Sequence, residues 1–174
     1  MNTTLSRASR GLFVVMGVSG CGKTTVAQGL ADYFSSPFQE GDDLHPAANV
    51  AKMHGGIPLD DSDRAPWLQI CHEWLKMHKD TGGVLTCSAL KRKYRDVLRE
   101  GLDVTFVYLE TSEQTIAERL KRRVGHFMPP SLLPSQLATL EPPTKDENFI
   151  AVDSAGSPEI VMEELLASLK ARAV

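Results

Sequence analysis

Leu12-Phe13-Val14-Val15-Met16, followed at once by Gly17-Val18-Ser19-Gly20-Cys21-Gly22-Lys23-Thr24, decides how this chain is read. The first five residues form a continuous apolar, β-prone run, the pattern of a strand buried on both faces of a parallel sheet. From Thr24 onward Val26, Ala27, Leu30, Ala31 and Phe34 recur at helical spacing, so a helix begins where the glycine loop ends. The eight residues between match GxxxxGK[ST] in the strand-loop-helix setting that the motif requires. Glycines there let backbone N–H groups turn inward around phosphate oxygens, and the helix N-terminus adds the positive end of its dipole. Lys23 is then placed to reach the β- and γ-phosphates of ATP, and Thr24 to offer its hydroxyl to Mg²⁺. The expected nucleotide-binding residues are Gly17, Val18, Ser19, Gly20, Cys21, Gly22, Lys23, Thr24 and Thr25.

Outward from this unit, Pro37-Phe38 begins a short second strand that leads to Gly41-Asp42-Asp43. Pro46 fits the start of a helix through Met53, which Gly55-Gly56-Ile57-Pro58 breaks. Ser62-Asp63-Arg64-Ala65-Pro66 opens a long amphipathic helix with Trp67, Leu68, Cys71, Trp74, Leu75 and His78 on one side, ended by Gly82-Gly83. Val84–Cys87 reads as a strand, Lys91–Glu100 as a basic helix closed by Gly101, and Val104–Leu109 as another strand. Thr111, with Gln114 three residues on, predicts a capping box for a helix carrying Ile116, Ala117 and Leu120. Residues 125–134 read as a loop, followed by a short helix through Leu140. A strand Phe149–Val152 and a closing helix with the stripe Val161, Leu165 and Leu169 complete the chain. Strands and helices alternate throughout, which predicts an α/β fold with a mainly parallel sheet of about five strands flanked by helices. Residues 1–10 read as a loose tail and 11–174 as a single domain. A helical insert over 42–82 and a lid-like segment over 123–141 depart from simple alternation, as segments for recognition and closure do.

With 174 residues, 42% hydrophobic and 24% charged, the chain has the composition of one ordinary globular domain. A net charge of −3 gives no global attraction to nucleic acid or anionic membrane, so an anion site must be built locally. No interleaving of aromatic and basic residues points to nucleic acid. Cys21, Cys71 and Cys87 are odd in number and lack CxxC spacing, which argues against a disulfide framework or zinc and for a reduced, cytoplasmic setting. The apolar run at Leu12–Val15 is too short for a signal segment or membrane span.

A glycine loop of this kind does not choose between hydrolysis, switching and transfer to a small acceptor. The strand at Val84 ends in Ser88 and not in the aspartate that common ATPases and GTPases use around their metal. Asp42 and Asp43 instead follow the second strand, and neighbouring strands of a parallel sheet open on the same edge. Asp42 is the candidate to orient an acceptor hydroxyl and take its proton, the alternative being a turn or cap residue. His45 can touch substrate or fix the turn before Pro46. Arg64 is suited to clamp a carboxylate through two parallel hydrogen bonds, against the alternative of a solvated charge at a helix start. In the basic cluster Lys91, Arg92, Lys93, Arg95 and Arg99, only Lys91 and Arg95 stand near enough to the strand end to face a cleft. Trp67 and Trp74, one heptad apart with Leu68, Cys71 and Leu75 between them, read as core packing for at least one of the two, the alternative being a ligand-stacking role.

Several blocks resemble the signatures of the gluconate kinase family. They are Gly41-Asp42-Asp43-Leu44-His45-Pro46, Lys52-Met53 with Gly56-Ile57-Pro58-Leu59, Asp61-Ser62-Asp63-Arg64-Ala65-Pro66-Trp67-Leu68, and Cys87-Ser88-Ala89-Leu90-Lys91 with Tyr94-Arg95-Asp96. Gly125-His126-Phe127-Met128, Ser135-Gln136 and Thr139-Leu140-Glu141 extend the likeness, which runs in order from about Phe13 to Asp153. The resemblance implies the broad fold of shikimate and nucleoside monophosphate kinases, with a core, an acceptor region and a mobile lid. It implies transfer of the ATP γ-phosphoryl group to gluconate with Mg²⁺, a substrate set of Asp42, His45, Arg64, Lys91, Arg95 and Gln136, and catalytic roles for Lys23, Asp42 and Arg123. Arg119 and Arg123, four apart on one helix face, resemble the arginine pair that meets adenine and phosphates in related kinases, the alternative being a solvated stripe. A homodimer is compatible with the resemblance. Kinases of shikimate or another small hydroxy acid, and a nucleotide-gated regulatory module, are the rival readings.

Overall fold

The computed structural model describes residues 10–122 and 133–173. Five strands, β1 (Leu12–Met16), β2 (Phe38–Gln39), β3 (Gly83–Thr86), β4 (Val104–Glu110) and β5 (Phe149–Asp153), form one parallel sheet in the order β2-β3-β1-β4-β5. β1 takes the centre because each of its five side chains is apolar, and all five are buried. Val14 lies opposite Leu85 of β3 and Phe106 of β4.

The period-two alternation of β1 divides the core into two layers. Leu12, Val14 and Met16 pack with Trp67, Cys71 and Leu75 of α3 (Asp61–Met77) and with Tyr94 and Leu98 of α4 (Arg92–Arg99). Phe13 and Val15 pack on the other face with Val26, Ala27 and Leu30 of α1 (Lys23–Phe34) and with Val161 and Leu165 of α7 (Pro158–Arg172). Leu169 packs partly against that layer, so the closing helix presents the stripe read from its spacing. Each fully buried aliphatic side chain stabilises by roughly 1.5–3 kcal/mol before the entropy of ordering is subtracted.

Connections leave β1 toward β2 on one side and β3 toward β4 on the other, which opens a crevice at the carboxyl ends of β1 and β3. The Gly17 N–H donates to Ser88 O at 3.3 Å and ties the two strand ends together at its floor. Around this crevice lie a 3₁₀ turn at Gly41–Leu44, α2 (Ala47–His54), α5 (Glu113–Arg122) and α6 (Leu133–Thr139).

Three local expectations are corrected. The hydroxyl at the start of α5 is that of Ser112, which accepts from Thr115 N–H at 3.2 Å. Thr111 is still completing the exit from β4, and its buried Oγ1 has no hydrogen-bond partner among the described residues. Pro134 belongs to the first turn of α6, where its missing N–H costs no helical bond, and not to the loop. Gly83 opens β3, while α3 already stops at His78, whose N–H returns to Leu75 O. At its other end α3 begins at Asp61, because Asp60 and Asp63 exchange side-chain and backbone hydrogen bonds in a capping box. Residues 125–132, Gly125-His126-Phe127-Met128 among them, lie outside the described residues, as does Arg123. Among the described residues no helix is long and apolar enough to cross a membrane.

Candidate active site

The glycine loop turns from β1 into α1 through Gly22, whose φ of 95° lies in the left-handed region that side chains disfavour. Lys23 Nζ folds over the loop and donates to Gly17 O and Val18 O, both at 3.0 Å. Thr24 Oγ1 donates to Glu40 Oε2 at 2.6 Å, and Thr86 Oγ1 donates to Glu40 Oε1 at 2.5 Å. The Gly41 N–H in turn donates to Thr86 Oγ1 at 2.9 Å. Only glycine fits at position 41, since a Cβ there would stand 1.9 Å from Thr86 O.

Glu40 is the functional candidate that sequence reasoning missed. Common ATPases and GTPases carry such a carboxylate at the strand corresponding to β3, whereas here it stands at the end of β2, two residues before Asp42. An acidic residue at any strand end beside the loop was the available signal. The hydroxyl of Thr24 and the carboxylate of Glu40 are hard oxygen donors side by side, a set that suits Mg²⁺ in the company of phosphate oxygens.

A cleft of about 750 Å³, counted to its open mouth, runs from this loop across the ends of β2 and β3. Ser19, Lys23, Thr24, Glu40, Asp42, His45, Arg64, Trp67, Ser88 and Gln136 are among its lining residues. Asp42 is carried by the 3₁₀ turn, which Trp67 anchors by donating from Nε1 to Gly41 O at 2.8 Å. The same indole stacks on the His45 ring, centroids 4.0 Å apart and planes 16° apart. Trp67 therefore belongs both to the core and to the cleft wall. Burial first, and the Arg64 charge second, lower the His45 pKa to about 4, so the ring is neutral near pH 7.

Arg64 is aimed by a relay between α3 and α4. Its Nη1 donates to Tyr94 Oη at 2.9 Å, and Tyr94 donates to Asp61. The Asp61 carboxyl is held well below the usual range, chiefly by Lys93 and then by Tyr94. Lys91 stands at the start of α4, where its Nζ lies 3.4 Å from Asp61, and the cleft wall passes through Leu90 beside it instead.

Arg95 is corrected from a cleft residue to a buried support. Its Nε and Nη2 donate to Glu147 at 2.7 and 3.2 Å, and its Nη1 donates to Ala89 O at 2.8 Å. Both charged side chains are 1% exposed. Burial pushes the Glu147 carboxyl up, but the Arg95 pair and the Thr144 N–H outweigh it and leave it lowered. Helical periodicity turns Arg95 inward with Tyr94 and Leu98, so nearness to Ser88 in sequence did not bring it into the cleft. It holds Ala89, whose φ of 47° is strained for a residue with a Cβ, at the cleft's edge. Arg95→Met is therefore expected to cost about 3–5 kcal/mol in chemical denaturation, because Glu147 is left buried and unpaired. Normal stability with a raised acceptor KM would return Arg95 to the cleft.

Gln136, on α6, reaches back to the loop, where its Oε1 accepts from the Ser19 N–H at 2.7 Å. Ser19 Oγ is buried and has no partner among the described residues, a polar atom poised for a ligand. On the opposite side of the loop a second hollow of about 800 Å³ is lined by Cys21, Thr25, Arg119, Arg122, Ser154 and Gly156, among others. Arg119 is fixed there by donating to Ser154 O at 2.5 Å and to Cys21 O at 3.4 Å. The three cysteines are buried and free, and Cys71 is kept protonated by its hydrogen bond to Cys87 and by burial.

The pattern of the shikimate kinase family matches residues 19–170. A gluconokinase of Gluconobacter oxydans is 58% identical over 161 residues, which cover 91% of this chain and 90% of that protein. Among solved structures, a gluconokinase from Sinorhizobium meliloti superposes with a TM-score of 0.85 at 48% identity, covering 94% of each chain. Shikimate kinase from Aquifex aeolicus matches 92% of this chain and 97% of its own with a TM-score of 0.60 at 17% identity, a likeness of fold.

Proposed function

Since the chain belongs to the gluconokinase family of P-loop kinases, we propose that it transfers the γ-phosphoryl group of ATP to the terminal hydroxyl of D-gluconate, giving 6-phosphogluconate and ADP. The observation that carries this reading is the 58% identity over nine-tenths of both chains. The geometry supports it, because loop, carboxylate and arginine line one cleft.

The work of the site is positioning and charge neutralisation. Lys23 swings from its own loop carbonyls to the transferring phosphoryl group, while the amides of 20–25 hold the phosphates. Mg²⁺, when bound, neutralises phosphate charge, and Thr24, oriented by Glu40, is the residue to hold it. Asp42 aligns the acceptor hydroxyl for in-line attack and takes its proton. Arg64 pairs with the acceptor carboxylate. Arg119 flanks the nucleotide on the far side of the loop, and Arg123 is assigned with it to neutralising the phosphates. Gln136 releases the Ser19 amide when phosphate enters. The setting is the cytoplasm.

A coupled ADP assay across gluconate, shikimate, glycerate and nucleoside monophosphates is expected to give turnover with gluconate alone. Slow turnover indifferent to every acid would indicate a nucleotide switch. Arg64→Leu is expected to raise the gluconate KM and lower kcat/KM by about ten- to a hundredfold, with the ATP KM unchanged, since charge-assisted hydrogen bonds are worth about 1.5–3 kcal/mol. Lysine rescues only in part, because a point charge lacks the fork. Comparable kcat/KM for sorbitol and gluconate would overturn the acid-specific reading.

A further inference from the structure

We propose that Asn49 is a positioning residue that holds His45 as a neutral imidazole protonated on Nε2, so that His45 donates to a hydroxyl oxygen of the acceptor chain while Arg64 takes the carboxylate. This rests on the acceptor reading above.

Asn49 lies on α2 and is only 4% exposed. Its Nδ2 donates to the backbone oxygen of Asp63 at 2.8 Å and faces His45 Nδ1 at 3.3 Å. A backbone oxygen can only accept, so the amide atom opposite Asp63 is the NH₂ group and not the amide oxygen. That group has a second hydrogen, and it is directed at His45 Nδ1. Nδ1 must therefore present a lone pair, and the proton of the neutral ring resides on Nε2.

The surroundings favour the same state. The ring is stacked on Trp67 and shares the cleft with the Arg64 cation, which opposes a second positive charge. Asp63 is itself held by the capping box of α3 and by Lys52 Nζ at 2.8 Å, so the oxygen that orients Asn49 is set by the start of that helix. A neutral Nε2–H donor has no charge to offer a carboxylate but makes an ordinary hydrogen bond to a polyol oxygen. An acceptor that combines an anionic end with a row of hydroxyls meets a separate partner for each.

The test begins with ¹⁵N-resolved imidazole spectra of the full-length chain at pH 7, with and without gluconate. Expected is a His45 ring with unprotonated Nδ1 and protonated Nε2, which in Asn49→Leu gives way to a mixture of tautomers. His45→Gln places an amide N–H where Nε2 was, whereas His45→Asn places it where Nδ1 was. His45→Gln is expected to keep the gluconate KM within a few fold, and His45→Asn to raise it about tenfold, the worth of one neutral hydrogen bond, with the ATP KM unmoved in both. A proton on Nδ1 in the wild type, or equal KM values for the two His45 variants, overturns the proposal. Should Asn49→Leu not fold, the wild-type spectrum and the His45 pair still decide. The spectrum reads the ring whatever the acceptor is. Failure of the acceptor assignment appears instead as absent gluconate turnover in the unaltered chain.

Discussion

Lys23→Ala is expected to lower kcat by on the order of 10²- to 10³-fold, the cost of removing a donor aimed at charge that develops in the transition state. The loop has no second cation, and the ammonium group already lies at the loop mouth, 3.0 Å from Gly17 O and Val18 O. Folding should survive, since α1 is held by Val26, Ala27, Leu30 and Phe34 in the core and not by position 23. Steady-state turnover with gluconate, alongside thermal melting of the same preparation, checks both halves. A folded variant that retains more than about a tenth of wild-type turnover would remove Lys23 from the transition state.

Asp42→Asn is expected to lower kcat by roughly 10²-fold or more, within the range of general base catalysis, because it keeps the shape of the side chain and removes the proton acceptor. The turn that carries it is anchored from outside position 42, by Trp67 on Gly41 O and by Gly41 N–H on Thr86. Thr24 is oriented by Glu40 and not by Asp42, so ATP affinity should barely change. Nucleotide titration and turnover measured on one preparation separate the roles. Equal losses in both would assign Asp42 to nucleotide or metal support.

These two residues were legible in sequence for different reasons. Lys23 is covalently fixed within a local motif whose strand and helix are both announced by periodicity, so nothing distant has to be known. Asp42 was reached by topology, since strands of a parallel sheet deliver their carboxyl ends to one edge. Arg64 is legible through the chemistry of its guanidinium, which suits a carboxylate. Its aim through Tyr94 to Asp61 depends on how α3 lies on α4.

The sequence by itself determined the alternation of elements, the central buried strand, the nucleotide loop and the acidic turn after β2, because each is a property of neighbouring residues. Tertiary structure alone decided which of the cleft-side charges face inward. Arg95 and Glu147 are 52 residues apart and meet in the interior. Glu40 meets Thr24 and Thr86 across three strand ends. Asn49 reads Asp63 and His45 from two other segments. Periodicity tells a side chain which face of its own element it occupies, but its partner is set by the packing of elements against one another. That packing minimises buried, unpaired polar groups over the whole molecule, a condition that no local window of sequence contains.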